Sequence, residues 1–178
     1  MGSLLSKIFF SQIIGYKHSK ILILGLDHAG KTATLYKIGL NENVTTVPTI
    51  GFNSEMIQYN NVKMLIFDLG GQEKVRSLWQ HYFENTDAII FVVDSADRER
   101  MQEARETLHE ILTNSNLEKV KLLILANKQD LSEALSASQI AEELDLKSIK
   151  QDYHLQECSA ITGEGLYEGF DWLSGKIA

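Results

Sequence analysis

Eight consecutive residues, Gly25-Leu26-Asp27-His28-Ala29-Gly30-Lys31-Thr32, have the types and spacing to hold a chain of phosphates. They follow an apolar run at 21–24 and precede a helical segment at 31–38. That is the strand–loop–helix setting in which G-x-x-x-x-G-K-[ST] cradles phosphates. Gly25 and Gly30 let the backbone turn tightly, so that successive N–H groups and a helix N-terminus face an anion. Lys31 has the reach for β- and γ-phosphates, and the Thr32 hydroxyl can ligate Mg²⁺. The pattern implies a nucleoside triphosphate and leaves the base open.

Three further stretches bear on the base and the third phosphate. Asp68-Leu69-Gly70-Gly71-Gln72 ends an apolar run. Asp68 suits the shell around Mg²⁺, although read alone it would also serve as a turn cap. Gly70 and Gly71 allow a backbone N–H to approach a γ-phosphate, and Gln72 can orient an attacking water. Asn127-Lys128-Gln129-Asp130 follows another apolar run. The Asp130 carboxylate can accept from the N1–H and exocyclic amine of guanine, an arrangement that adenine does not offer. Asn127 can tie this loop to the phosphate loop, and the Lys128 stem can cover a face of the base. Ser159-Ala160 comes last, where the Ala160 N–H could meet guanine O6. Thr49, in the stretch Thr45-Thr46-Val47-Pro48-Thr49-Ile50-Gly51-Phe52, is placed to complete the Mg²⁺ shell when a γ-phosphate is present.

The elements that must position these residues alternate along the chain. Strands are predicted at 21–24, 52–59, 62–68, 88–93, 120–126 and 153–158, and helices at 31–38, 97–113, 138–146 and 164–177. Asn60-Asn61 suits a tight hairpin turn between the second and third strands. The all-apolar run at 88–93 and the largely apolar run at 120–126 are those of strands buried on both faces, as in a parallel sheet. The fold class is therefore α/β: one domain with a mostly parallel six-stranded sheet flanked by helices, and ligands at the carboxyl ends of its strands. A length of 178 residues suits a single domain. A formal net charge of −7 leaves no basic surplus for a nucleic-acid partner. Cys158, the only cysteine, excludes an internal disulfide and reads as a buried small hydrophobe. No apolar run approaches the ~18 residues that cross a bilayer.

Residues 1–18 stand outside this alternation, and the domain proper is expected over 19–178. Met1-Gly2-Ser3-Leu4-Leu5-Ser6 fits an N-myristoylation acceptor at Gly2, and Leu4, Leu5, Ile8 and Phe9 share one helical face. A signal peptide is disfavoured by Ser6 and Lys7, while a core helix docked on the domain remains an alternative.

Taken together, the motifs resemble the ADP-ribosylation factor (Arf) and Arf-like branch of the Ras-type small GTPases over essentially the whole chain. Besides the stretches above, the resemblance rests on Arg76-Ser77-Leu78-Trp79-Gln80-His81-Tyr82-Phe83, Asp94-Ser95-Ala96-Asp97-Arg98-Glu99-Arg100 and Gly163-Glu164-Gly165-Leu166-Tyr167-Glu168-Gly169. It is closest to Arf proper through T-T-V-P-T-I-G-F-N and H-Y-F-E-N-T. The resemblance implies a monomeric GTP/GDP switch with Mg²⁺ as cofactor, acting in vesicle and protein transport. It implies slow hydrolysis, raised by an activating protein that supplies an arginine finger, since no arginine of this chain is obviously placed as one. An exchange factor and effector proteins are the other implied partners, with Phe52, Phe67 and Tyr82 as the effector surface. Phe67 stands where the family has tryptophan, and His28 where it usually has Ala or Asn. Residues 137–153 also diverge from the family. In the GTP state the N-terminal helix would leave the domain for a membrane, and the hairpin at 52–68 would slide by two residues. That step keeps the same side chains facing the core. The implied location is the cytoplasm, peripherally on the cytosolic face of membranes, Golgi first. A nucleotide kinase would share the first loop but needs an acceptor site and an arginine-bearing lid. A switch or scaffold that binds without useful hydrolysis is disfavoured by Gln72.

Overall fold

The computed structural model describes residues 16–40 and 51–178. The expectations for Gly2, the N-terminal helix and the loop carrying Thr49 lie outside these residues. The elements run β1 (Lys17–Leu24), α1 (Lys31–Leu40), β2 (Phe52–Tyr59), β3 (Val62–Leu69), the single-turn α2 (Glu73–Arg76), β4 (Ala88–Asp94), α3 (Met101–Leu112), β5 (Lys121–Asn127), α4 (Ala137–Glu143), β6 (Asp152–Glu157) and α5 (Leu166–Ile177). The sheet order is β2-β3-β1-β4-β5-β6. Among the described residues only the β2–β3 pair is antiparallel.

Apolar runs put β1, β4 and β5 in the centre, where both faces are covered. Alternation within β1 divides the core: Leu22 and Leu24 face Leu108 and Ile111 of α3 and Ile140 of α4, while Ile21 and Ile23 face Leu35 of α1 and Phe170 of α5. The sheet is thus a rigid plate gripped from both sides, and the loops at its carboxyl edge are held in place by it.

The boundaries depart from expectation where backbone bonding outweighs side-chain pattern. β1 starts four residues early, at Lys17, because its polar end pairs in parallel register with Val62–Leu65 of β3. The helix expected from 97 starts at Met101, after a 3₁₀ turn at Arg98–Arg100 that Asp97 caps by accepting from the Arg100 N–H. The helix expected over 138–146 is Ala137–Glu143, with a capping box at Ser136 and Gln139. Asp145 then turns left-handed (φ 50°), and a separate 3₁₀ turn covers Leu146–Ser148. α5 begins at Leu166 because Gly165 (φ 73°) cannot continue a helix. At the hairpin, Tyr59 pairs with Val62 as expected, and Asn60 takes the positive φ of 51°.

Candidate nucleotide site

The phosphate loop is the connection from β1 to α1, and its glycines are needed for packing as well as turning. Gly25 (φ 138°) and Gly30 (φ 99°) both lie in the left-handed region. A Cβ on Gly30 would come within 2.3 Å of the Asn127 amide nitrogen. That nitrogen donates to the Ala29 carbonyl (2.8 Å), and the Asn127 Oδ1 accepts from the Ala160 N–H (2.9 Å). Buried Asn127 therefore binds the phosphate loop to the loop after β6, a wider role than the tie expected of it. The same bond qualifies the expectation for Ala160. Its N–H is engaged by Asn127, so a contact to guanine O6 would have to share or replace that bond.

Lys31 is buried, and its ammonium donates to the Leu26 carbonyl at 2.7 Å. Burial pulls its pKa down from 10.5 to about 8, with Asp68 and Asp27 opposing. Only the ammonium can neutralise a phosphate, so nucleotide affinity is expected to fall as pH rises above about 8. Stability moves the other way. Between about 8 and 10.5 the unfolded chain holds more protons on this lysine than the folded one, so nucleotide-free protein gains stability as pH rises. Binding titrations and thermal melts across that window check both signs.

The Thr32 hydroxyl donates to the Asp68 carboxylate (2.5 Å), and Asp68 is fully buried. A hydroxyl beside a buried carboxylate is an oxygen donor set that fits Mg²⁺, which takes few protein ligands and shares the rest with phosphate and water. Among the described residues no cluster of three or more His, Cys, Asp or Glu could hold an ion by itself. His28 points outward as expected, with 71% of its side chain exposed. Leu26 and Ala29 are buried in the two halves of the core.

Gly71 presses against the loop: a Cβ there would lie 2.5 Å from backbone atoms of Gly25, Leu26 and Asp27. Gln72 precedes α2 with its side chain exposed and no cap bond. On the base side, Asp130 is exposed and accepts from the Ser159 hydroxyl at 2.5 Å. Lys128 (φ 68°) pairs with Asp94 at 2.5 Å. Cys158 is buried just past β6, its thiol pushed up to about 12 by burial, and is chemically inert.

Sequence reading missed an ionic network at the rim. Arg100 reaches Asp27 of the phosphate loop at 2.8 Å, and Glu103 accepts from both Arg76 (2.6 Å) and Arg100 (2.8 Å). The bond from Arg100 pulls Glu103 down to about 2 against the effect of burial, and Arg76 adds to it. The expectation that no arginine is obviously placed as a finger therefore gains a qualification: two lie beside the phosphate loop, both held by carboxylates. Arg100 and Asp27 are 73 positions apart, so no local pattern could have joined them.

Phe52, Phe67 and Tyr82 gather in one aromatic cluster, with ring centroids 5.5–6.2 Å apart. Lys20 secures the cluster by donating to the Tyr82 (2.6 Å) and Glu84 (2.8 Å) carbonyls.

Comparison with known proteins agrees with this geometry. The model of the ADP-ribosylation factor family matches residues 5–177. Among solved structures, the Arl6 BBS3 small GTPase from Trypanosoma brucei, determined with the bound nucleotide analogue GppNp, is 30% identical with a TM-score of 0.84. The alignment covers 90% of this chain and 98% of that one. With the phosphate loop, the D-x-G-G-Q segment and the N-K-Q-D loop converging on one edge of such a sheet, the chain belongs to the ADP-ribosylation factor family of small GTPases.

Proposed function

We propose that this GTPase is a GTP/GDP switch that recruits effectors to a membrane, serving vesicle and protein transport on the cytosolic face of the Golgi. The observation that carries the reading is the meeting of Gly71 with Gly25, Leu26 and Asp27, because it couples the phosphate loop to the segment that bears Gln72. Lys31 neutralises the β- and γ-phosphates, and Gln72 orients the attacking water. Thr32 and Thr49 would ligate Mg²⁺, with Asp68 behind them, and the ion would neutralise charge that builds on the phosphates. Asp130 selects guanine. Arg76 and Arg100 are held by Glu103 and Asp27, which favours an activating protein as the source of the finger.

Myristoylated Gly2 and the apolar residues at 4, 5, 8 and 9 supply two membrane signals, as stable anchoring requires. An exchange factor would load GTP, and Phe52, Phe67 and Tyr82 would receive effectors. Residues 1–18 would form the membrane segment and 19–178 a monomeric domain.

Flotation of myristoylated protein with liposomes tests the membrane step. GTP-loaded protein is expected to float and GDP-loaded protein to remain below. Equal partition of the two states sinks the proposal. Single-turnover hydrolysis without a partner is expected to be slow, on the order of 10⁻⁴ to 10⁻² s⁻¹. Rapid unassisted turnover would show that no external arginine is needed.

A further inference from the structure

The two glycines before Gln72 are held from behind. Buried Trp79 donates its indole N–H to the Gly70 carbonyl at 2.9 Å. Arg76 donates through Nε to the Gly71 carbonyl at 2.8 Å. The Gly70 N–H is itself engaged by the Gly51 carbonyl at 2.9 Å. In a trans peptide, which all of these are, C=O and N–H point in opposite directions. Holding the Gly70 carbonyl therefore aims the Gly71 N–H the other way, and holding the Gly71 carbonyl does the same for the Gln72 N–H. Among the described residues no bond is made by either of these two donors, so both are available to an incoming anion.

Arg76 cannot swing freely. Its Nη2 is bonded to Glu103 Oε1 at 2.6 Å, while Glu103 Oε2 accepts from Arg100, which in turn grips Asp27. The peptide plane between Gly71 and Gln72 is thus referred, through α3, to the phosphate loop itself.

We infer that Arg76 and Trp79, backed by Glu103, are positioning residues for the γ-phosphate: they aim the Gly71 and Gln72 N–H groups by holding the carbonyls behind them. This rests on the reading of Gly71 as a γ-phosphate donor and adds the residues that orient it. GDP lacks the phosphate these donors would meet. The clamp therefore favours the triphosphate and leaves the diphosphate untouched. Arginine is required at position 76 because it bonds two partners at once through Nε and Nη2, which the single ammonium of lysine cannot reproduce.

The test is the affinity of the full chain for GDP and for GppNp, with Mg²⁺ present, in Arg76→Gln, Arg76→Lys and Trp79→Phe. Each variant is expected to lose GppNp affinity by about tenfold, the size of one hydrogen bond to a charged group, while GDP affinity is retained. Retained GDP binding also reports that the variant is folded. Equal losses for both nucleotides would reduce the clamp to packing and overturn the inference. So would an unchanged ratio in all three variants, or a gain for GppNp, which would mean that the clamp holds the GDP state. Failure of the underlying switch reading would be visible in the unsubstituted chain, as no binding of either guanine nucleotide.

Discussion

Asp130→Asn is expected to lower GTP affinity by about 10²–10⁴-fold, the loss of two charge-assisted bonds to guanine. The substituted amide keeps one oxygen to accept from N1–H, but its NH₂ faces the exocyclic amine of guanine, donor against donor. Xanthine carries a carbonyl at that position, so preference should move to XTP. The pocket itself survives the change. Ser159 can still donate to the amide oxygen of the variant, as it does to the Asp130 carboxylate at 2.5 Å. Asn127 still binds Ala29 and Ala160. Competition among GTP, XTP and ATP is the measurement. If GTP remained preferred, the base would not be read by this carboxylate, and a preference for ATP in the unsubstituted chain would remove the guanine assignment altogether.

Gln72→Leu should leave nucleotide binding intact and reduce partner-stimulated hydrolysis by about 10²–10³-fold, the usual cost of removing one preorganised donor at a developing charge. Exposure of Gln72 and the absence of a cap bond mean that the leucine breaks nothing in the fold. The variant therefore isolates water positioning from stability. Hydrolysis at the unsubstituted rate, measured with activating protein in excess, would remove Gln72 from the reaction. The two substitutions also separate two functions at the sheet edge. Position 130 is expected to set which base enters, and position 72 how long the third phosphate stays.

Much of the site could be read from residue order because its parts are contiguous. Eight residues make the phosphate loop, and four more form the loop in which Asp130 is expected to meet guanine. Their chemistry follows from backbone freedom at glycine and from the donors that each side chain owns. The α/β class was legible for a similar reason: 88–93 and 122–126 are apolar throughout, as strands covered on both faces require. Helix ends were less legible. The polar residues at 97–100 fit a helix by composition, yet Asp97 turns its carboxylate back on the Arg100 N–H and delays the helix to Met101.

What residue order alone determined, then, is the chemistry to expect: a phosphate cradle, a hydroxyl suited to a cation, a carboxylate suited to guanine and a glutamine able to hold water. Tertiary structure decided how those pieces are held. The Arg76–Glu103 and Arg100–Asp27 bonds span 27 and 73 positions. Asn127 reaches back 98 positions to Ala29, and Gly30 is needed partly to make room for it. Side-chain partners so far apart leave no periodicity to detect, because their meeting depends on the order of strands in the sheet rather than on spacing within one segment. The phosphate loop is therefore legible as a motif, while its rigidity comes from residues that only the folded sheet brings to it.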